Sequence, residues 1–470
     1  MKHHPSAASY NLRYVTAISL VSALGGLLFG YDWVVIGGAK PFYESYFSIA
    51  GMPFLQGWAI SSALVGCIGG TLLSGLLADR YGRKNLLIFS ALLFTVSAAG
   101  TGAAHDFTVF ILYRILGGIG IGLASNLSPV YIAEVTPASI RGRFVSINQL
   151  TIVIGILLAQ FVNWRIARPV PEEATPEMIL NSWNGQAGWR WMFWAELLPA
   201  ALFFMLMWLV PESPRFLVKK RRNDRAFPVL ERIGGREYAD ERIRDIHESL
   251  GRDGGRSRLR ALRAPGIPPI VLVGVVLAVF QQWCGINVIF MYAEEIFTAA
   301  GYSVSDMLFN IVVTGSVNLV FTFVAMALVD RIGRKTLMLA GAGSLAVIYT
   351  VMGTLYFAGV QGLPLLILVV LAIAAYAMTL APVTWVVLSE IFPNRVRGAA
   401  MAVATFALWS ANAVLAYSFP AVNKAIHASG SFWLFAAISV AGFLFIRKKL
   451  VETKGKTLEQ IEKELTGAKH

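Results

Sequence analysis

Three ionisable residues stand inside otherwise apolar stretches: Asp32 in LLFGYDWVVIG, Arg114 in VFILYRILGG and Glu196 in MFWAELLPA. A charge at the centre of a bilayer costs about 2.5–3.5 kcal/mol on insertion scales, so each needs a partner or a watery cavity. Asp32 lies nine residues before Pro41, Arg114 seven after Phe107 and Glu196 six after Arg190. At about 1.5 Å of rise per residue these spacings correspond to roughly 13, 10 and 9 Å from one and the same end of their helices, hence a single layer. A carboxylate opposite a buried guanidinium is a proton-sensitive pair. Protonation discharges the acid and frees the arginine, and so can bias a conformational equilibrium. The alternative is a permanent Asp32–Arg114 bridge that only pins two helices. For Glu196 the alternative is a polar first turn close to the interface.

Uncharged polar groups in apolar surroundings suggest a second kind of chemistry. QQWCGIN carries Gln281, Gln282 and Asn287 around Gly285. Amides both donate and accept, which suits a ligand covered in hydroxyls, and the glycine permits a local break of the helix. Asn148, Gln149 and Asn318 are similar groups, while Trp385 and Trp409 can stack on the apolar face of a sugar ring. The competing reading of such groups is interhelical hydrogen bonding and packing. GGIGIG at 117–122 follows no strand and sits inside an apolar helix, so close helix packing fits it better than nucleotide binding. The six histidines fall in tails or loops, and Cys67 and Cys284 lie in apolar runs. Neither a histidine relay, a disulfide framework nor a metal site is indicated. With no nucleophile–base constellation and no cofactor loop, an enzyme is not expected.

The elements that must position these groups follow from composition. Of 470 residues, 56% are hydrophobic and only 14% charged, about half the charged fraction of an ordinary globular protein. This is the composition of an all-α polytopic membrane protein. Twelve apolar stretches are long enough to span a bilayer: near 14–37, 57–78, 86–104, 107–133, 144–165, 191–210, 267–293, 307–329, 336–358, 364–389, 398–423 and 430–446. Arg13 precedes a first span too long for a signal-peptide core, so that helix is expected to serve as an uncleaved anchor. One long polar segment, 211–264, holds 15 Lys and Arg against 9 Asp and Glu. The helical spacing of Ile243, Ile246 and Leu250 predicts short amphipathic helices there.

The two sides of that segment repeat. DRYGRK at 79–84 returns as DRIGRK at 330–335, and the pair Glu134/Arg141 returns as Glu390/Arg397. A parallel six-plus-six duplication is the architecture of one class of secondary transporter, with substrate held at the repeat interface. The expected divisions are a six-helix half at 1–210, a linker at 211–265, a second half at 266–450 and a tail helix at 451–470. The net charge of +13 is read as topology: with the N-terminus inside, 34 of the 40 basic residues fall in inner segments. Both termini are therefore expected in the cytoplasm, and no role remains that requires nucleic acid.

The chain resembles the sugar porter family of the major facilitator superfamily, through GYD at 30–32, DRYGRK, YRILGGIGIG at 113–122, EVTPASIRG at 134–142, PESPR at 211–215, QQWCGIN, DRIGRK, SEIFPNRVRG at 389–398 and ETKGKTLEQIE at 452–462. The resemblance covers essentially the whole chain. It implies sugar contacts from Gln149, Gln281, Gln282, Asn287, Asn318 and Trp385. It further implies a cytoplasmic gate network of Arg83, Glu134, Arg141, Glu212, Arg215, Arg334, Glu390 and Arg397 that stabilises an outward-facing state. Asp32 stands where bacterial sugar–proton symporters have aspartate and animal facilitative carriers have asparagine. Proton coupling through Asp32, Arg114 and Glu196 is thus implied, with a facilitative uniporter as the alternative and a non-transporting sugar sensor as a more distant one. Met291, Leu408 and Ile156 depart from the xylose-type pattern, leaving the sugar open between hexose and pentose. The expected setting is a bacterial inner membrane, with a monosaccharide and protons as partners, no cofactor beyond the coupling proton, and a monomeric functional unit.

Overall fold

In hydrocarbon a chain can satisfy its backbone N–H and C=O groups internally by coiling into a helix, and every apolar stretch does so. The computed structural model describes residues 10–171, 174–252, 262–393, 396–454 and 456. The first five crossings are α1 (Leu12–Tyr46), α2 (Pro53–Tyr81), α3 (Arg83–Ala103), α4 (Phe107–Val135) and α5 (Arg141–Ile166). After the short α6 (Pro176–Asn181), the sixth is built in pieces: a π-helical turn at Asn184–Gly188, α7 (Trp189–Trp194) and α8 (Leu197–Leu209). Pro199 has no N–H to give the Ala195 carbonyl, and the helix is interrupted at Glu196.

The polar segment folds as α9 (Pro214–Lys219), α10 (Asn223–Gly234) and α11 (Arg236–Arg252). Leu230, Ile233 and Ala239 pack with Val15 of α1, with Ile243 and Phe144 of α5 alongside, while Ile246 joins Leu217, Val218 and Ala226. The amphipathic reading of this segment therefore holds for Ile243 and Ile246. The side chain of Leu250 lies outside the described residues, as does most of the expected tail helix at 451–470.

The second set of six begins with α12 (Ile267–Trp283), α13 (Ile286–Met291) and α14 (Ala293–Ala299). Gly285, at φ 91°, makes the break between α12 and α13 that the sequence predicts. Then follow α15 (Val304–Ile332), α16 (Arg334–Phe357), and a tenth crossing divided at Thr379 into α17 (Leu363–Met378) and α18 (Leu380–Ile391). The final helix, α19 (Arg397–Lys449), has 53 residues, about 80 Å if straight. It turns at His427 (φ 58°, ψ 174°) and so supplies two crossings. Among the described residues twelve crossings result, six on each side of the polar segment, as in a multi-pass membrane protein.

Contacts divide the chain into two compact units, one of residues 1–32, 66–156 and 193–255, the other of 33–65, 157–192 and 256–470. In the first unit, Gly66 and Gly70 of α2 meet Gly118 and Gly122 of α4 backbone to backbone. A Cβ on Gly66 or Gly70 would collide with the carbonyl oxygens of Ile115 or Ile119. The glycines at 117–122 thus serve helix packing, the small-residue mode of association in lipid. In the second unit, the far ends of α1, α2 and α5 pack on second-half helices. Gly37 leaves room for the Phe290 carbonyl, Gly57 for that of Tyr417, and the rings of Trp164 and Phe309 lie 5.8 Å apart.

This packing predicts that Gly70→Leu costs about 2 kcal/mol or more through overpacking and lowers the melting temperature of detergent-purified protein by several degrees. Gly75→Ala, where an added Cβ meets nothing within 4 Å, is expected to leave it unchanged.

Candidate functional site

The first unit brings the three intramembrane charges together. Asp32, Arg114 and Glu196 are each 2% exposed, and the Arg114 guanidinium bonds Oδ1 of Asp32 directly. Arg114 also lies over the Phe193 ring, 5.8 Å from its centroid. Oδ2 of Asp32 and Oε1 of Glu196 are buried without hydrogen-bond partners. Glu196 is within electrostatic reach of both Asp32 and Arg114, and it occupies a helix break deep in the unit, not a wet first turn. Two acidic side chains therefore lie about one guanidinium, Asp32 bonded to it and Glu196 with its Oε1 unpaired. Gln149 also belongs to this unit, half-buried on α5.

The amides of the seventh crossing form a relay in the second unit. Asn287 Nδ2 donates to Gln282 Oε1 at 2.5 Å, and Gln282 Nε2 donates to Gln281 Oε1 at 3.1 Å. Gln281 Nε2 then donates to the Ala381 carbonyl at 3.2 Å, just past the break in the tenth crossing. The break at Gly285 is what lets Asn287 reach back to Gln282. Asn318 is 7% exposed, Trp409 is 4% exposed with its ring 5.7 Å from that of Trp33, and Trp385 is half-buried. All six of these candidate sugar contacts lie in one unit.

The expected gate residues form two like networks, one per half. In the first, Arg83 NH2 pairs with Glu134 Oε1 at 3.0 Å, Ser213 Oγ donates to Glu134, and Glu212 Oε1 accepts the backbone N–H of Arg83 and Lys84 at 3.1 Å each. In the second, Arg334 NH2 pairs with Glu390 Oε1 at 3.2 Å and Thr453 Oγ1 donates to Glu390 Oε2 at 2.6 Å. Glu452 there takes the place of Glu212, accepting from Arg334 N at 2.9 Å and Lys335 N at 3.1 Å. Each glutamate thus caps the helix that follows a positive-φ glycine, Gly82 or Gly333. Arg141 and Arg397 take no carboxylate among the described residues; Arg397 donates to the Phe392 carbonyl at 3.3 Å. Arg215 belongs to the same stretch, next to the Pro214 that opens α9.

Sequence reasoning missed Ser213, Glu452 and Thr453, although Glu-Ser at 212–213 and Glu-Thr at 452–453 repeat the same pair. It also took the first span to close near residue 37, with Pro41 as the end of the helix. The helix instead continues through Pro41 to Tyr46, giving up only the one backbone hydrogen bond that Pro41 cannot donate to the Gly37 carbonyl. Lys40, 1% exposed, is held by Glu44 at 2.9 Å, Glu294 at 2.9 Å and Glu295 at 2.8 Å, and Gln56 donates to Glu44 at 2.7 Å. The i,i+4 spacing of Lys40 and Glu44 on one helix face was the available signal.

The twin capping glutamates differ in their proton affinity. Desolvation raises the Glu212 carboxyl above its ordinary 4.5, against the backbone N–H groups of Ser213, Lys84 and Arg83. At Glu452 desolvation is outweighed by the N–H groups of Lys454, Arg334, Lys335 and Thr336, and the carboxyl is held below 4.5. The stability contributed by Glu452 is therefore full above pH 4.5 and lost as pH falls through its lowered value. That of Glu212 is full below 4.5 and lost as pH rises through its raised value. Glu452→Gln is expected to cost about 1 kcal/mol at pH 7, discounted for solvent contact, and Glu212→Gln less. Thermal unfolding in detergent at pH 7 and near pH 3 checks this: the penalty of Glu452→Gln should shrink on acidification.

Comparison with known proteins agrees with this architecture. The family described as "Sugar (and other) transporter" matches residues 18–465. The D-xylose-proton symporter of Escherichia coli (strain K12) is 40% identical, covering 96% of each chain. The arabinose-proton symporter of Bacillus subtilis (strain 168) is 37% identical, covering 98% of this chain and 97% of that one. An inward open structure of the E. coli xylose transporter XylE aligns with a TM-score of 0.83 at 37% identity, covering 96% of this chain and 99% of that one. The chain belongs to the sugar porter family of the major facilitator superfamily.

Proposed function

We propose that this protein is a proton-coupled monosaccharide symporter that imports a pentose or hexose by alternating access. The observation that carries the reading is the buried Asp32–Arg114 pair with a second acid, Glu196, beside it and its Oε1 without a hydrogen-bond partner. Protonation of Asp32 removes the charge that holds Arg114, and Glu196 offers the guanidinium a second acceptor. The proton thereby selects between two arrangements of one buried cation. Sugar hydroxyls are held by Gln149, Gln281, Gln282, Asn287 and Asn318, with Trp385 and Trp409 against the ring. The relay from Asn287 to Gln281 fixes which amide atoms remain for the ligand. The Arg83–Glu134 and Arg334–Glu390 pairs act as the cytoplasmic gate, with both termini on that side of a bacterial inner membrane. The functional unit is the monomer, and the proton is the only coupling partner.

The similarity to xylose-proton and arabinose-proton symporters supports coupling. Ile156 and Leu408 stand where polar contacts of the xylose type would be, so the preferred sugar is expected to differ from xylose.

In proteoliposomes bearing an imposed proton gradient, wild-type protein should concentrate its sugar. Asp32→Asn should lose at least tenfold in accumulation while still exchanging labelled sugar in counterflow. Accumulation by Asp32→Asn at the wild-type rate would remove the coupling role.

A further inference from the structure

Gln160 on α5 is 2% exposed, and among the described residues neither its amide nitrogen nor its amide oxygen has a hydrogen-bond partner. A buried amide with both ends unpaired is a liability that an apolar residue of similar size would avoid. Its neighbour one turn on shows the ordinary solution: Asn163 donates Nδ2 to the Val35 carbonyl at 2.9 Å. The surroundings of Gln160 make room for the amide without pairing it. Gly315 of α15 faces it, and any Cβ there would collide with the amide oxygen. Gly315 lies three residues before Asn318, on the same face of α15 and about one turn away. On α5, Gln160 lies four residues after Ile156 and eleven after Gln149, spacings that return to one helical face. Gln160 therefore continues the stripe that carries Gln149 while facing the α15 surface that carries Asn318.

The geometry points to Gln160 as a specificity-determining residue, whose amide pairs a hydroxyl of the transported monosaccharide beside Asn318, on the side of the site toward Lys40. This assignment rests on the sugar-transport reading above. An amide supplies both a donor and an acceptor, so it can match a hydroxyl whichever way that group is turned. A site built to pair a hydroxyl discriminates strongly against the analogue that lacks it.

The test is counterflow in proteoliposomes with the transported sugar and its series of monodeoxy analogues, comparing wild type with Gln160→Leu. The expected result is a roughly tenfold rise in KM for the parent sugar in Gln160→Leu, with kcat within twofold of wild type. One deoxy analogue should show the same loss in wild type and no further loss in the variant. Thermal unfolding of Gln160→Leu should be unchanged or higher, since the variant removes an unpaired buried amide, which separates a lost contact from a damaged fold. Unchanged KM values across the series would overturn the assignment. Failure of wild-type protein to exchange any monosaccharide would instead overturn the reading on which it rests.

Discussion

A carboxylate and a guanidinium, each 2% exposed and bonded to one another inside an apolar bundle, set the terms for the first unit. Hydrocarbon cannot solvate either ion, and removing one partner would leave an uncompensated charge. The surrounding sequence follows from enclosing that pair. Gly117 leaves space beside Asp32 and Ser97, and the glycines of α2 and α4 bring their backbones together around the same region. The break at Glu196 lets a second acid enter the layer without a further cation. In the proposed cycle a buried cation with two acids beside it has two arrangements, and a proton selects between them.

A second set of charges lies at helix ends and is organised by the duplication. Both halves end a helix with Asp-Arg, turn at a glycine, and start the next helix with Arg-Lys capped by a distant glutamate. The same scaffold holds its carboxyl above the ordinary range in one half and below it in the other, because burial and backbone N–H groups compete with different weights. Lys40, with three carboxylates around one ammonium, has no such twin in the described residues. It ties α1 to α14 through Glu294 and Glu295.

Much of this was legible in the sequence because lipid makes local demands. Hydropathy alone places twelve crossings, and Gly285 marks the broken seventh one. The layer of Asp32, Arg114 and Glu196 follows from helical rise. Pairing across long separations was less legible. Glu452 caps a helix 118 residues earlier in the chain, and the Asn287–Gln282–Gln281 order depends on how sharply the chain turns at Gly285. The first helix reads as ending at Pro41 because a proline removes a backbone hydrogen bond and usually stops a helix, whereas the chain stays helical through it to Tyr46. Gln160 gave no local signal, since its burial and the lack of a partner for its amide emerge only once the helices are packed.

In proton-coupled symport a proton crosses with the sugar. It is tested most directly by adding sugar to lightly buffered, de-energised proteoliposomes of wild-type protein and recording the external pH. The medium is expected to turn alkaline in step with sugar uptake and to return when a protonophore is added. Sugar entry at a measurable rate with no change of pH would contradict it and leave the Asp32–Arg114 pair a fixed strut.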